Sequence, residues 1–194
     1  MRIGFTGAQG TGKTTAAKAA WSIFPRRTDE HWTIVPSTAR ACLDAGYSIN
    51  RDADPLSQLI TLIARMNEEN NLAERYSVIS DRTPIDSLAY TAFQFNEVWK
   101  DPNAFYWTQC SDLVKHHMPK YDAVILFPPY WAPEGDGIRD PDIEWQHKIH
   151  QMIVDLLETM EVKHLVMPNV SVEERAKWLF NVYKSFDLTP KSTV

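Results

Sequence analysis

The sequence predicts an α/β fold, a parallel sheet of about five strands with helices on both faces. Three observations predict it. Strand and helix signals alternate along the chain, and that alternation requires right-handed crossovers between parallel strands. The segment YDAVILF carries a continuous apolar run after its aspartate, as a strand covered on both faces must. The opening MRIGFTGAQGTGKTT is a short apolar run, a glycine-rich turn and then good helix formers, the order of a strand, a tight loop and a helix.

The remaining elements follow in order. HWTIVP, rich in β-branched and aromatic residues and closed by Pro36, is the second strand, and STARACLDAG is a short helix ending at Gly46. Asp54 as N-cap with Pro55 at the first helical position starts a longer helix, whose core face is expected at Leu56, Leu59, Ile60, Ile63 and Met66. YSVIS is the third strand. RTPIDSLAYTAF then restarts a helix with Thr83 as cap, Pro84 first, and Asp86 where a capping carboxylate belongs. Asp101 before Pro102 and Asp140 before Pro141 repeat that start signal. Ile143, Ile149, Ile153, Leu156, Leu157 and Met160 trace the buried stripe of a late helix, KHLVM is the fifth strand, and Ser171 with Glu174 caps a last helix through AKWLF. The expected organisation is one domain over 1–194, with a mobile lid at about 129–141 and a frayed tail from about 187.

Bulk properties narrow the partners. A chain of 194 residues suits a single domain with a real core, and 44 % hydrophobic and 23 % charged residues exclude wholesale disorder. A net charge of −5 argues against a protein that blankets nucleic acid, while leaving room for a local basic cleft. No apolar run reaches the length of a membrane helix, and the first one is broken at once by TGAQGTG, so the expected compartment is cytoplasmic with no membrane partner. Cys42 and Cys110 read as small buried apolar residues. His147 and His150 share helical spacing but lack the HExxH context that would make a metal site of them.

GAQGTGKT matches G-x-x-x-x-G-K-[ST] between a strand and a helix, the one context in which that pattern is specific, and it narrows the α/β class to the P-loop NTPase fold. Gly7, Gly10 and Gly12 let the backbone approach an anion without a Cβ in the way, and Gln9 and Thr11 complete the loop whose N–H groups converge on it. Lys13 is expected at the β- and γ-phosphates, the Thr14 hydroxyl at Mg²⁺, and Thr15 at the α-phosphate. A GTPase would show NKxD and a transport ATPase LSGGQ, neither of which occurs, and the chain is short for the extra helical domain of an AAA+ motor. A small kinase fits those absences. Positive evidence is SVISDRTPIDSLAY: Asp81 ends a strand at the sheet edge where ligands bind, so its carboxylate suits Mg²⁺ or the attacking hydroxyl, and Arg82 suits a phosphate or a carboxylate.

Gly7 to Thr15, PSTAR, SDRTPIDSLAY and GDGIRDPD, in this order, resemble the P-loop nucleoside and nucleotide kinases, and most of all the NadR-type ATPase and kinase family met in phages and bacteria. The likeness runs from Met1 to about Leu165. It implies Asp81 at the magnesium, Arg82 near the phosphates or the acceptor, Arg139 in a lid that closes on the nucleotide, and Arg40 facing the acceptor pocket, with Asp86 a further candidate for substrate contact. One departure is that related kinases often carry a carboxylate after the second strand as general base, where this chain has Pro36 and Ser37. Either Asp81 takes that part, or the loose transition state of phosphoryl transfer needs little base.

The resemblance implies ATP and Mg²⁺ as cofactors and a small nucleoside or nucleotide as acceptor. Two other readings stay open, a kinase acting on a modified base such as hydroxymethyluracil within phage DNA, and a regulatory module that binds ATP without transfer. Of the aromatic cluster Trp99, Phe105, Tyr106, Trp107, Tyr130 and Trp131, only the last two, beside the lid, are placed to meet a ligand, and the others read as core.

Overall fold

The computed structural model describes residues 1–25, 31–49, 53–94, 104–132 and 142–187, and the side chains of all of these except Arg40, Ala104 and Phe105. In chain order the elements are β1 (Arg2–Thr6), α1 (Lys13–Ile23), β2 (Trp32–Val35), α2 (Ala39–Asp44), α3 (Pro55–Ala73), β3 (Ser77–Asp81), α4 (Pro84–Phe93) and α5 (Ala104–His117). A 3-10 turn over Met118–Lys120 leads into β4 (Ala123–Leu126), followed by α6 (Ile143–Thr159), β5 (Leu165–Val166) and α7 (Val172–Asp187).

The strands form one parallel sheet in the order β2-β3-β1-β4-β5. From β1 the chain departs toward β2, whereas from β3 it departs toward β4. Each connection passes the other's strand, with α1 on one face of the sheet and α4 on the other, so the carboxyl ends of β1 and β3 form the switch point at which open parallel sheets bind ligands. Register pairs Phe5 with Asp81, so the glycine loop after β1 and the last residue of β3 emerge side by side.

Alternation along the strands divides the core in two. Ile3, Phe5, Ile79 and Ile125 pack with Ala16, Ala17 and Ala20 of α1 and Leu179 and Tyr183 of α7. Val124 and Leu126 face Ile85 and Leu88 of α4 and Trp145, Ile149 and Ile153 of α6. Burial of all four β4 residues bears out the doubly covered apolar run. Thr83 and Asp86 form the capping box of α4, and Ser171 with Glu174 exchanges the same bonds at the start of α7.

Three expectations need correction. The inward face of α3 is Ser57, Gln58, Leu62, Arg65 and Glu69, whereas Leu56 and Ile63 are 61 % and 42 % exposed. Leu59 and Met66 of the expected stripe do pack against the core, but the most buried line of the helix is largely polar, because paired polar groups can replace hydrophobes there. In α6, Ile143 is half exposed and Trp145 occupies the buried stripe, its ring 5.6 Å from Tyr90 and 6.0 Å from Phe93. That helix is capped by Asp142, whose Oδ1 accepts the Trp145 N–H at 3.1 Å, two residues after the expected Asp140. Asp140 and Pro141 lie outside the described residues, as do Asp101, Pro102 and residues 133–141 of the expected lid.

Candidate active site

The glycine loop is shaped by what surrounds it. Gly7 has φ 148°, and a Cβ there would meet the Phe127 carbonyl oxygen at 2.6 Å, so β4 leaves room for glycine alone. Gly12, at φ 84°, is the N-cap of α1 and supplies no side-chain bond to the first turn, which also holds no acidic residue. The positive end of α1 is thus left to an anion. Lys13 folds back over the loop, donating to Gly7 O at 2.7 Å, Ala8 O at 2.6 Å and Thr11 Oγ1 at 2.9 Å. Thr11 in turn donates to Ala8 O at 3.0 Å, and Thr15 is exposed one residue beyond Thr14.

Asp81 is 4 % exposed, and its Oδ2 accepts the Thr14 hydroxyl at 2.5 Å. A carboxylate and a hydroxyl, both hard oxygen donors, therefore meet at the mouth of the loop, the donor set Mg²⁺ favours. Among the described residues no group of three or more His, Cys, Asp or Glu gathers that could hold a metal ion.

At Arg82 the backbone turns through φ 91°, unusual for a residue with a side chain, and α4 starts two residues later. Its guanidinium donates to Asp86 Oδ1 at 3.2 Å and lies 5.4 Å above the Tyr90 ring. Burial opposes the Arg82 charge, but Tyr90 and the carboxylates of Asp86 and Asp81 outweigh it and raise the pKa above the ordinary arginine value. Burial likewise pushes the Tyr90 phenol up, and its hydroxyl donates to Gln9 Oε1 at 3.0 Å.

Asp86 does more than cap. Its Oδ2 accepts Thr6 Oγ1 at 2.8 Å, Thr83 N at 2.9 Å and Thr83 Oγ1 at 3.2 Å, while Oδ1 accepts the Gly7 N–H at 3.2 Å besides Arg82. One carboxylate so fastens the start of the glycine loop to the β3–α4 corner. Sequence spacing could not reveal a partner 79 positions away.

Beside this corner a shallow cleft, open to solvent, is lined by Ser37, Gln58, Arg65, Arg82, Asp86 and Tyr90, among others. Arg65 is 1 % exposed and donates from Nη2 to Pro36 O at 2.9 Å and from Nη1 to Arg82 O at 3.0 Å, tying the end of β2 to the turn after β3. Behind it Glu69 lies 3.4 Å from Arg65 and receives the Tyr121 hydroxyl at 2.6 Å and His117 Nε2 at 2.8 Å. Burial pushes the Glu69 carboxyl up, yet His117, Arg65 and Tyr121 together hold it below the usual value.

The other candidate residues divide. Gln9 is buried, and its carbonyl accepts Gln146 Nε2 at 2.7 Å, a contact from α6 that no motif signalled. Tyr130 donates to Met167 O at 2.8 Å, Trp131 is 46 % exposed, and Tyr106 and Trp107 pack against the core. Arg139 and Trp99 lie outside the described residues, as do the side chains of Arg40 and Phe105. His150 is half-buried, and burial, helped by the charges of His147 and Lys13, lowers its pKa.

A lysine-bearing glycine loop opening onto a helix at the switch point of a parallel sheet is the P-loop nucleotide-binding fold. Residues 2–175 match the family described as an AAA domain, and the chain belongs to that family. Its fold is that of the P-loop nucleoside and nucleotide kinases, as the motifs led one to expect. It superimposes on a deoxyadenosine kinase from M. mycoides, solved with the products dCMP and a flexible dCDP, with a TM-score of 0.68 and 14 % identity over 95 % of this chain and 100 % of that one. The same kinase with dCTP bound gives 0.63 at 14 % identity, with the same coverage of both chains. NadR in complex with NR gives 0.71 at 16 % identity over 99 % of this chain and 54 % of NadR, so this chain spans about half of that protein. No curated protein sequence matches the chain. No helix among the described residues is long and apolar enough to cross a membrane.

Proposed function

We propose that the protein is an ATP- and Mg²⁺-dependent phosphotransferase that moves the γ-phosphate to a hydroxyl or a monophosphate of a nucleoside or nucleotide. The carrying observation is the 2.5 Å contact between Thr14 and Asp81, which sets a carboxylate from β3 against the loop beside a polar cleft. A protein that merely holds a nucleotide needs the loop; the adjoining cleft is what a second substrate requires.

Thr14 and Asp81 would hold the cation, which when bound offsets charge on the terminal phosphates. Lys13 adds positive charge at the loop, and Arg82, fixed by Asp86 and Tyr90, adds it on the cleft side. In transfer the acceptor oxygen bonds the γ-phosphorus as the bond to the bridging oxygen breaks, giving ADP and the phosphorylated acceptor. A hydroxyl acceptor releases its proton to solvent, since Asp81 would be engaged with the cation. The loose transition state makes positioning the larger contribution.

A panel of nucleosides, nucleoside monophosphates and hydroxymethyluracil-containing DNA, each offered with radiolabelled ATP, tests the reading. Nucleosides head it because solved structures similar to this chain include a deoxyadenosine kinase and NadR with NR. Label in a nucleoside or nucleotide supports the proposal, label only in DNA moves the acceptor, and bound ATP with no transfer to any acceptor leaves a regulatory module. Asp81→Asn should lower the magnesium-dependent rate by about two orders of magnitude while changing ATP affinity much less. An unchanged rate would remove Asp81 from the chemistry.

A further inference from the structure

Arg175, one turn into α7, is absent from every motif in the sequence yet lies against the glycine loop. It is 3 % exposed. Its Nε donates to Val170 O at 3.1 Å, and its Cζ lies 4.3 Å from the centre of the Trp131 ring. Those two contacts fix the plane of the guanidinium. Nη1 points at the loop, for a Cβ built on Gly12 would lie 3.0 Å from it. Nη2 is buried and finds no hydrogen-bond acceptor among the described residues, and no carboxylate pairs with the group there.

A buried cationic N–H without an acceptor is among the costliest arrangements a protein can hold, and native structures keep few of them. Here the cost falls next to Gly12, at the positive end of α1, where a multiply charged anion is expected. The arrangement is rigid before any ligand arrives: the indole covers one side of the guanidinium and Val170 occupies one N–H, leaving a donor edge already oriented. Preorganised donors of this kind contribute most where charge is concentrated.

Resting on the reading that the loop takes a nucleoside triphosphate, we propose that Arg175 is an additional cation of the donor site, its Nη2 edge donating to the phosphate chain. Lys13 then meets that chain from within the loop and Arg175 from the α7 side, while Trp131 holds the arginine rather than the base.

Calorimetric titration of wild type, Arg175→Met and Arg175→Lys with ATP and with inorganic tripolyphosphate tests this, together with steady-state KM values for ATP and the acceptor. Arg175→Met is expected to bind both ligands roughly ten- to a hundredfold more weakly, with acceptor KM unchanged and the unfolding midpoint of the ligand-free protein unchanged or raised. Arg175→Lys should recover part of the loss, since it keeps the charge without the planar fork. Weaker ATP binding with normal tripolyphosphate binding would overturn the proposal in favour of a base or sugar contact. Unchanged affinity for both, or parallel loss of donor binding, acceptor binding and stability, would reduce Arg175 to a packing residue. Should the wild type itself bind neither ligand, the nucleotide reading of the loop fails first, and the two failures are told apart.

Discussion

Lys13→Ala is expected to slow phosphoryl transfer by at least about a hundredfold, the usual loss when one preorganised charge-stabilising donor is removed. The ammonium now bonds Gly7 O, Ala8 O and Thr11 Oγ1 at 2.6–2.9 Å, so it sits inside the loop. An incoming triphosphate offers stronger acceptors than neutral carbonyls, which permits the lysine to change partners without leaving the loop. Its removal should therefore affect kcat more than the fold. The glycine turn is fixed independently, by Asp86 on the Gly7 N–H and by Phe127 against the Gly7 Cα. Stability should fall by no more than about 2 kcal/mol, the scale of a few exchanged hydrogen bonds. Single-turnover rates with saturating ATP, read beside urea unfolding, separate the two effects. Near-normal transfer in a folded Lys13→Ala protein would remove the loop from the chemistry.

What the sequence disclosed was local, and what it concealed was long-range. The glycine loop, the capping box at Thr83 and Asp86, the Asp54 cap and the β4 run are patterns within a few residues, and each appears where its spacing places it. Asp81 was legible because the end of a parallel strand is a position with a known meaning. Its contact with Thr14 joins residues 67 apart, and only the sheet order brings them together. Gln146 and Arg175 carry no motif and become visible only when α6 and α7 are seen to pack against the loop.

The α3 error teaches more. Leu56, Leu59, Ile60, Ile63 and Met66 make a convincing apolar stripe, yet only Leu59 and Met66 of them pack against the core, and the helix buries Gln58, Arg65 and Glu69 more deeply. A hydrophobic count treats each charge as a cost and cannot see that His117, Tyr121 and two backbone carbonyls wait to receive it. Arg65 and Glu69, four apart with opposite charges, were the available signal, but the same pair on a surface helix is an ordinary exposed ion pair. Only tertiary placement distinguishes the two.

That placement makes Glu69 the residue whose loss should cost most in stability. Glu69→Leu would leave the Arg65 guanidinium buried without its carboxylate, and remove the acceptor of the Tyr121 hydroxyl and the partner of His117. Breaking a buried pair on one side costs about 3–5 kcal/mol, a large share of the stability of a typical domain. Urea unfolding should show the midpoint falling accordingly. Replacing both partners, as Arg65→Met with Glu69→Leu, should restore much of that stability, because no charge is then stranded. It should not restore function. Arg65 also holds Pro36 O and Arg82 O, so the double variant is expected to keep ATP affinity while its acceptor KM rises. Acid provides a separate check, since the Glu69 pKa is lowered in the fold. A depressed carboxylate contributes stability that is fully present above the unfolded value of about 4.3 and is lost as pH falls through the lower folded value. The stability gap between wild type and Glu69→Gln should thus narrow in acid, and a gap independent of pH would show that the carboxylate's charge contributes nothing.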